Sequence, residues 1–312
     1  MMGYQIDIII PVYNESINVL LIYDVINTQF EMKAGFTQRF IFIDDGSEDD
    51  SLANIKKLAQ QDERVKYLSF SRNFGKDAAL TAGLHCSNGD AAVMLDADLQ
   101  HPPEIILQML QFWSSGYQVI YCKRNSPNEH QGFFKRFFSR AFYKLMTMLS
   151  DVKIEEGISD FRLIDKKVVV VLKKWNEYEP FYRGLTKWIG FKQKIIEYTP
   201  QKRLHGRSKY SRSALFHLAF QAITSFSTRP LHIATYLGFI FSIASLLYIP
   251  YVSYSYYYHY AVSGWTSMIA TIAFFGGLQL MILGIIGLYL SKLFIQSKGR
   301  PLYIVNQSNL DD

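Results

Sequence analysis

The chain has 312 residues, 49% of them hydrophobic, and a net charge of +6, so it is long enough to bury a core and globular in composition. Its two cysteines, Cys86 and Cys122, lack metal-ligand spacing, which excludes a cysteine-ligated metal cluster and suits buried thiols in a reducing compartment. The basic balance fits nucleic acid, a membrane surface or phosphorylated ligands, and the placement of the charges decides among them.

No signal peptide is expected at the N-terminus, because Asp7 and Glu15 interrupt its apolar run and no basic segment precedes it. From there to residue 125, short β-rich runs alternate with helical patterns. The runs are Ile6–Ile10, Phe40–Asp44, Val65–Phe70, Ala91–Leu95 and Gln118–Cys122, with helices near 16–33, 49–61, 75–86 and 103–115. This alternation predicts a parallel sheet covered by helices on both faces. Ligands bind such sheets at the carboxyl ends of the strands. Polar clusters stand at four of those ends: Pro11–Glu15, Asp44–Ser47, Ser71–Asp77 and Asp96–His101.

Further along, 133–149 and 213–229 mix apolar faces with basic edges and read as amphipathic helices able to lie at a membrane surface. Between Arg229 and Lys292 there is no Lys, Arg, Asp or Glu. Within that stretch Leu231–Val252 and Ser267–Leu290 each approach the ~20 residues that cross a bilayer. A tyrosine-rich hinge, Ser253–Trp265, separates them and suits an interface. Arg203, Arg207, Lys209, Arg212 and Arg229 precede the pair and Lys292, Lys298 and Arg300 follow it, so both ends face the cytoplasm by the positive-inside rule. The expected organisation is therefore a cytoplasmic domain over 1–212, a juxtamembrane helix over 213–229, a transmembrane hairpin over 230–292 and a cytoplasmic tail over 293–312. The basic residues cluster beside the membrane rather than on one soluble face, so no nucleic-acid partner is expected.

The chemistry centres on Asp96-Ala97-Asp98. If the strand continues through them, both carboxylates point to the same side. Two carboxylates held together call for a cation, and a hard divalent ion such as Mg²⁺ or Mn²⁺ prefers oxygen ligands and can bridge to a diphosphate. On Ile10-Pro11-Val12-Tyr13-Asn14-Glu15, Ile43–Ser47, Ser71–Lys76, Asp96–Glu104 and Asp160-Phe161-Arg162-Leu163, the chain resembles the family 2 glycosyltransferases of GT-A fold. Within them it is similar to the polyisoprenyl-phosphate glycosyltransferases, which include the dolichol-phosphate mannose synthases and the bactoprenol glucosyltransferases. Ser225-Phe226-Ser227-Thr228 matches the bactoprenol branch, and Ser159 departs from the glycine usual before the Asp160 position.

The resemblance implies an α/β, mostly parallel sheet with flanking helices, and a role for each matching residue. Pro11, Tyr13, Glu15, Asp45, Lys76 and Asp96 line the nucleotide-sugar site. Asp96, Asp98 and Gln100 hold the metal, and Asp160 acts with Asp98 in catalysis, as the base or as an orienter of the acceptor. Arg203 and Lys209 of the Arg203–Tyr210 loop, with Arg124, bind phosphate. The implied reaction inverts the anomeric carbon and moves a sugar to undecaprenyl phosphate at the cytoplasmic membrane face. UDP-glucose is the expected donor, ahead of GDP-mannose, UDP-N-acetylglucosamine and a UDP-aminoarabinose derivative. The related enzymes also imply a homo-oligomer. A processive polysaccharide synthase would carry a Gln-x-x-Arg-Trp run, which is absent, and a catalytically dead scaffold would not need Asp96, Asp98 and Asp160.

Overall fold

The computed structural model describes residues 3–31, 35–125, 158–175, 177, 180, 182–199, 227–258 and 264–310. The expected surface helix 133–149 lies outside them, as does the juxtamembrane helix 213–229 except for its last three positions. The chain forms two compact units. One carries the sheet and includes the residues from Pro301 onward, and the other carries the two long C-terminal helices.

The sheet unit runs β1 (Tyr4–Val12), α1 (Ser16–Glu31), β2 (Phe36–Asp44), α2 (Ser51–Gln61), β3 (Val65–Phe70), α3 (Lys76–Cys86), β4 (Ala91–Met94), α4 (Glu104–Ser114) and β5 (Val119–Arg124). It continues through β6 (Ile158–Asp165), α5 (Lys166–Lys173), α6 (Tyr182–Trp188) and β7 (Gln193–Tyr198), and later adds β8 (Val305–Ser308). The strand order is β7-β5-β6-β4-β1-β2-β3-β8. Strands β4, β1, β2 and β3 are mutually parallel. Strand β6 runs antiparallel between β4 and β5, and β7 is parallel to β5. The mostly parallel sheet with flanking helices matches the expected class. The fifth expected strand does not extend the parallel series beside β4, because β6 takes that place.

Strand β1 is central and covered on both faces, so it reads as a nearly continuous apolar run. Ile6, Ile8, Ile9 and Ile10 are fully buried, each stabilising the fold by roughly 1.5–3 kcal/mol. Asp7 interrupts this run and is equally buried. Its carboxylate accepts two bonds from Arg39 opposite on β2, at 2.8 and 2.7 Å, and others from Ser87 Oγ and the N–H groups of Asn88 and Gly89. A buried charge so fully paired fixes the loop entering β4. Helix α3 buries Ala78, Ala79, Leu80, Ala82 and Leu84. It lies flush on β1 at Gly83, where a Cβ would collide with the Ile9 side chain.

The residues after Pro301, expected as a short tail, instead return to the sheet. Strand β8 pairs antiparallel with β3. The edge of β3 offers unpaired backbone groups that a distant segment can satisfy, and local pattern does not reveal such a partner.

In the second unit, α7 (Arg229–Tyr257) and α8 (Trp265–Ser297) span 29 and 33 residues. Arg229–Tyr248 has a mean hydropathy of 1.6 and Ser267–Ser297 of 2.2, so both are long and apolar enough to cross a membrane. Phe239, Leu247, Leu280 and Leu293 are exposed, whereas the core helix of a soluble domain would bury such side chains.

Candidate active site

Because β4, β1, β2 and β3 are parallel, their carboxyl ends open on one edge and bring four polar loops together. After β1, Asn14 turns the chain in the left-handed region at φ 54°, a conformation asparagine tolerates. Its N–H donates to Ser47 Oγ at 3.0 Å, and its Oδ1 accepts from Glu48 N–H at 2.9 Å. The N–H groups of Glu15 and Ser16 donate to Ser51 Oγ and Asp49. The loop carrying Pro11, Tyr13 and Glu15 is thus tied to the loop after β2. All three side chains are half-buried, and Glu15 accepts from Asn18 Nδ2 at 2.5 Å.

The two adjacent aspartates at the end of β2 do different jobs. Asp44 accepts from Ser47 N–H and from Ser69 Oγ, closing its own turn and bracing β3. Asp45 accepts from the N–H groups of Phe74 and Gly75 at 2.6 and 3.0 Å. Burial pushes its carboxyl up, and these two N–H groups pull in the opposite direction. Gly46 sits at φ 67°, where a Cβ would collide with the Arg72 backbone, so the loop 71–75 lies directly on the β2 turn. Asp45, expected in the nucleotide pocket, also holds the loop that delivers Lys76.

Strand β4 stops at Met94, short of the aspartates. The condition for both carboxylates to share one strand face, that the strand continue through Asp96 and Asp98, is therefore not met. Leu99 takes φ 57°, and Asp98 Oδ1 accepts from Gln100 N–H at 3.2 Å, a local turn that competes with the ladder. Asp96, Asp98 and Gln100 are half-buried on this turn. Lys76 Nζ forms an ion pair with Asp96 and another, at 2.9 Å, with Asp160 Oδ2.

Asp160 reaches this edge because β6 is antiparallel. Met94 pairs with Arg162, so continuing the register past the end of β4 sets Asp160 opposite Asp96. Two positions along the same strand, and so on the same face, Arg162 is completely buried. Its guanidinium donates to the Tyr182 carbonyl, Thr186 Oγ1 and the Ser159 carbonyl at 2.9–3.0 Å, and lies 3.4 Å from Asp160 Oδ1. Tyr182 in turn donates through its hydroxyl to Thr81 on α3, the helix that begins with Lys76.

A second line of contacts reaches Asp96 from β5 and β7. Arg124 Nε donates to Tyr198 Oη at 3.0 Å, Tyr198 Oη lies 2.9 Å from His101 Nδ1, and His101 Nε2 lies 3.4 Å from Asp96 Oδ2. Donor directions are consistent along this line when Tyr198 donates to Nδ1 and His101 carries its proton on Nε2. His101 is buried against Phe161, with ring centroids 4.8 Å apart. Burial pushes the Asp96 carboxyl up, but Lys76 and His101 more than offset this and hold it well below the usual carboxylate range. Burial likewise pushes the Tyr198 hydroxyl up.

The structure thus gathers Lys76, Asp96 and Asp160, with Asp98 and Gln100 on the Asp96 turn and Arg124 linked through two intermediates. Arg203 and Lys209 lie outside the described residues. Sequence reasoning gave no role to His101 or Tyr198. His101 stood inside the Asp96–Glu104 motif, whereas no local signal marked Tyr198. Among the described residues, no group of three or more His, Cys, Asp or Glu side chains has metal-holding geometry. Two carboxylates and one amide on a single turn still form an all-oxygen set compatible with a hard dication. Lys76 supplies the positive charge at Asp96.

Residues 7–172 match the model of the glycosyl transferase family 2. An uncharacterised glycosyltransferase of Bacillus subtilis, YkcC, is 39% identical over 97% of this chain and 94% of its own length. The bactoprenol glucosyl transferase of Shigella phage SfII is 37% identical over 98% of each chain. A prophage bactoprenol glucosyl transferase homologue of Escherichia coli is 37% identical over 97% of this chain and 99% of its own. Among solved structures, glucosyl-3-phosphoglycerate synthase from Mycobacterium tuberculosis overlaps 71% of this chain and 77% of that one, with 16% identity and a TM-score of 0.49. The chain is a glycosyltransferase and belongs to glycosyl transferase family 2.

Proposed function

We propose that the protein transfers a sugar, glucose from UDP-glucose, to undecaprenyl phosphate at the cytoplasmic face of a membrane. The observation that carries this reading is the carboxylate pair of Asp96, on the turn after β4, and Asp160, on the antiparallel neighbour β6, bridged by Lys76. One carboxylate faces the donor and the other the acceptor. The acceptor class rests on the bactoprenol glucosyl transferases, whose likeness extends over the whole chain and so includes α7 and α8. The exposed apolar surface of those helices and the basic residues at Arg229, Lys298 and Arg300 support a hairpin with both ends in the cytoplasm.

In this reading an oxygen of the lipid phosphate attacks the anomeric carbon, the bond to the nucleoside diphosphate breaks, and the configuration inverts. Asp160 orients the acceptor phosphate and takes up any proton it still carries. Pro11, Tyr13, Glu15 and Asp45 shape the nucleotide pocket, and Arg124, Arg203 and Lys209 meet phosphate charge. Asp96, Asp98 and Gln100 would hold a Mg²⁺ or Mn²⁺ ion, which when bound neutralises charge on the leaving diphosphate. Lys76 keeps the two carboxylates from repelling each other and lies ready to meet donor phosphate.

The test is transfer of radiolabelled sugar from a panel of UDP- and GDP-sugars to undecaprenyl phosphate in detergent with Mg²⁺ or Mn²⁺. Lipid-extractable label from UDP-glucose, lost with EDTA and in Asp98→Ala, is the expected result. Label from GDP-mannose or another donor would replace the sugar and keep the reaction. No lipid-linked label from any donor, with nucleotide still bound, would overturn the acceptor assignment.

A further inference from the structure

The loop that delivers Lys76 is held from a second direction, by the segment that carries β8. Ser71 N–H donates to the Ile304 carbonyl at 3.0 Å. The Tyr303 ring stacks on Phe70, with centroids 4.9 Å apart and planes 16° apart, and Phe70 meets Phe74 edge-on at 5.7 Å. The Tyr303 hydroxyl also lies 3.3 Å from His85 Nδ1 on α3. Tyr303 therefore touches the strand that enters the loop and the helix that leaves it.

The segment is anchored beyond this contact. Asn309 accepts from Tyr67 N–H at 2.7 Å through Oδ1, and donates from Nδ2 to the Val65 carbonyl at 3.1 Å. Between the anchor and Tyr303, the β3–β8 register shifts at Ser69 and Phe70. Such an irregularity re-aims the chain at the end of a ladder, and here it comes immediately before the loop.

We propose that Tyr303–Asn309 is a positioning element of the glycosyl-transfer centre. It holds the loop Ser71–Gly75 in the shape that sets Lys76 between Asp96 and Asp160. Asp45 fixes the loop from the β2 side through Phe74 and Gly75, while Ile304 and Tyr303 fix its start. This inference rests on reading Lys76, Asp96 and Asp160 as the reaction centre. An edge strand that only stabilised the sheet would affect all of it alike, and that difference is measurable.

The experiment compares the full chain in detergent with Tyr303→Ala and Tyr303→Phe, following amide hydrogen exchange in peptides from 71–76, β1 and β2. Tyr303→Ala should speed exchange at 71–76 about tenfold and leave β1 and β2 at their original rates, because local opening is separable from global unfolding. Tyr303→Phe keeps the stacking ring and should regain most of the protection. If Tyr303→Ala does not fold, Tyr303→Leu keeps apolar bulk without the stack and carries the same expectation. Unchanged exchange at 71–76, or an equal rise across the sheet, would overturn the proposal. Turnover adds a second reading through a double-mutant cycle. The drop in kcat caused by Tyr303→Ala should vanish in a Lys76→Met background, and additive effects would count against the coupling. Exchange needs no substrate, so it decides even if no donor and acceptor pair gives product.

Discussion

The two halves of the sheet reach the same edge by different physical means. On the side of β4, β1, β2 and β3, loops are tied mainly by short side chains to nearby backbone: Asn14 to Glu48, Asp44 to Ser47, Asp45 to Phe74 and Gly75. On the side of β6, β5 and β7, side chains meet one another across the fold, as in Arg162 with Thr186, Arg124 with Tyr198, and Tyr198 with His101. The first half fixes the shape of a cradle, and the second fixes where charge stands within it. An antiparallel strand inserted into a parallel sheet makes this division possible, because β6 delivers Asp160 to an edge that a parallel strand would meet only with its last residues.

If the second half holds charge, breaking its buried cation should cost the most. Arg162→Leu should destabilise the fold by about 3–5 kcal/mol, since it leaves buried carbonyls unpaired and removes a cation beside Asp160. Chemical denaturation of the full chain in detergent measures this. A loss under about 1 kcal/mol would mean that neighbouring groups repack and that the guanidinium is dispensable. Next in size is Asp160→Asn, which keeps the shape and removes the charge facing Lys76. It should lower kcat about 100-fold with the melting temperature nearly unchanged, as read by labelled-sugar transfer and thermal unfolding. Retention of most of the activity would make Asp160 a structural ion-pair partner of Lys76 and Arg162 rather than a catalytic group.

Much of the first half was legible before the fold was known. The alternation of short apolar runs with helix-length segments located β1 to β4 and α1 to α4, and β5 in the other half, because each of these runs is contiguous in sequence. The strand-end motifs were legible for the same reason, being contiguous in sequence. What escaped notice depends on distance along the chain. Lys76 meets Asp160 across 84 positions and Tyr198 meets His101 across 97, and no local pattern encodes either meeting. Strand β8 escaped because an edge strand is defined by its partner more than by its own composition. The carboxylates at Asp96 and Asp98 were found, but the turn that carries them was not, since the left-handed conformation at Leu99 is unusual for a γ-branched residue.

The smallest effect should come from a carboxylate on the cradle side, away from the carboxyl edge. Asp62 caps α2 just before β3 begins, at the amino end of the parallel strands. It accepts from Arg64 Nη2 and from the Tyr23 hydroxyl, both at 2.7 Å. Hydrogen bonding to Arg64 is the largest cause, and it brings the Asp62 carboxyl down from 3.8 to about 2 despite partial burial. A depressed acid favours the folded state in its ionised form. Its contribution is complete above about pH 4 and is lost as pH falls through about 2. A shift of this size corresponds to roughly 2.5 kcal/mol, but Arg64 is 45% exposed, and solvent screening reduces the expected value to about 1 kcal/mol. Asp62→Asn should therefore cost about 1 kcal/mol near neutrality, with the difference from the parent shrinking below pH 4. Its kcat should equal that of the parent. A fall in kcat approaching that of Asp160→Asn would mean that charge anywhere on the sheet tunes the reaction, and the division between cradle and charge would fail.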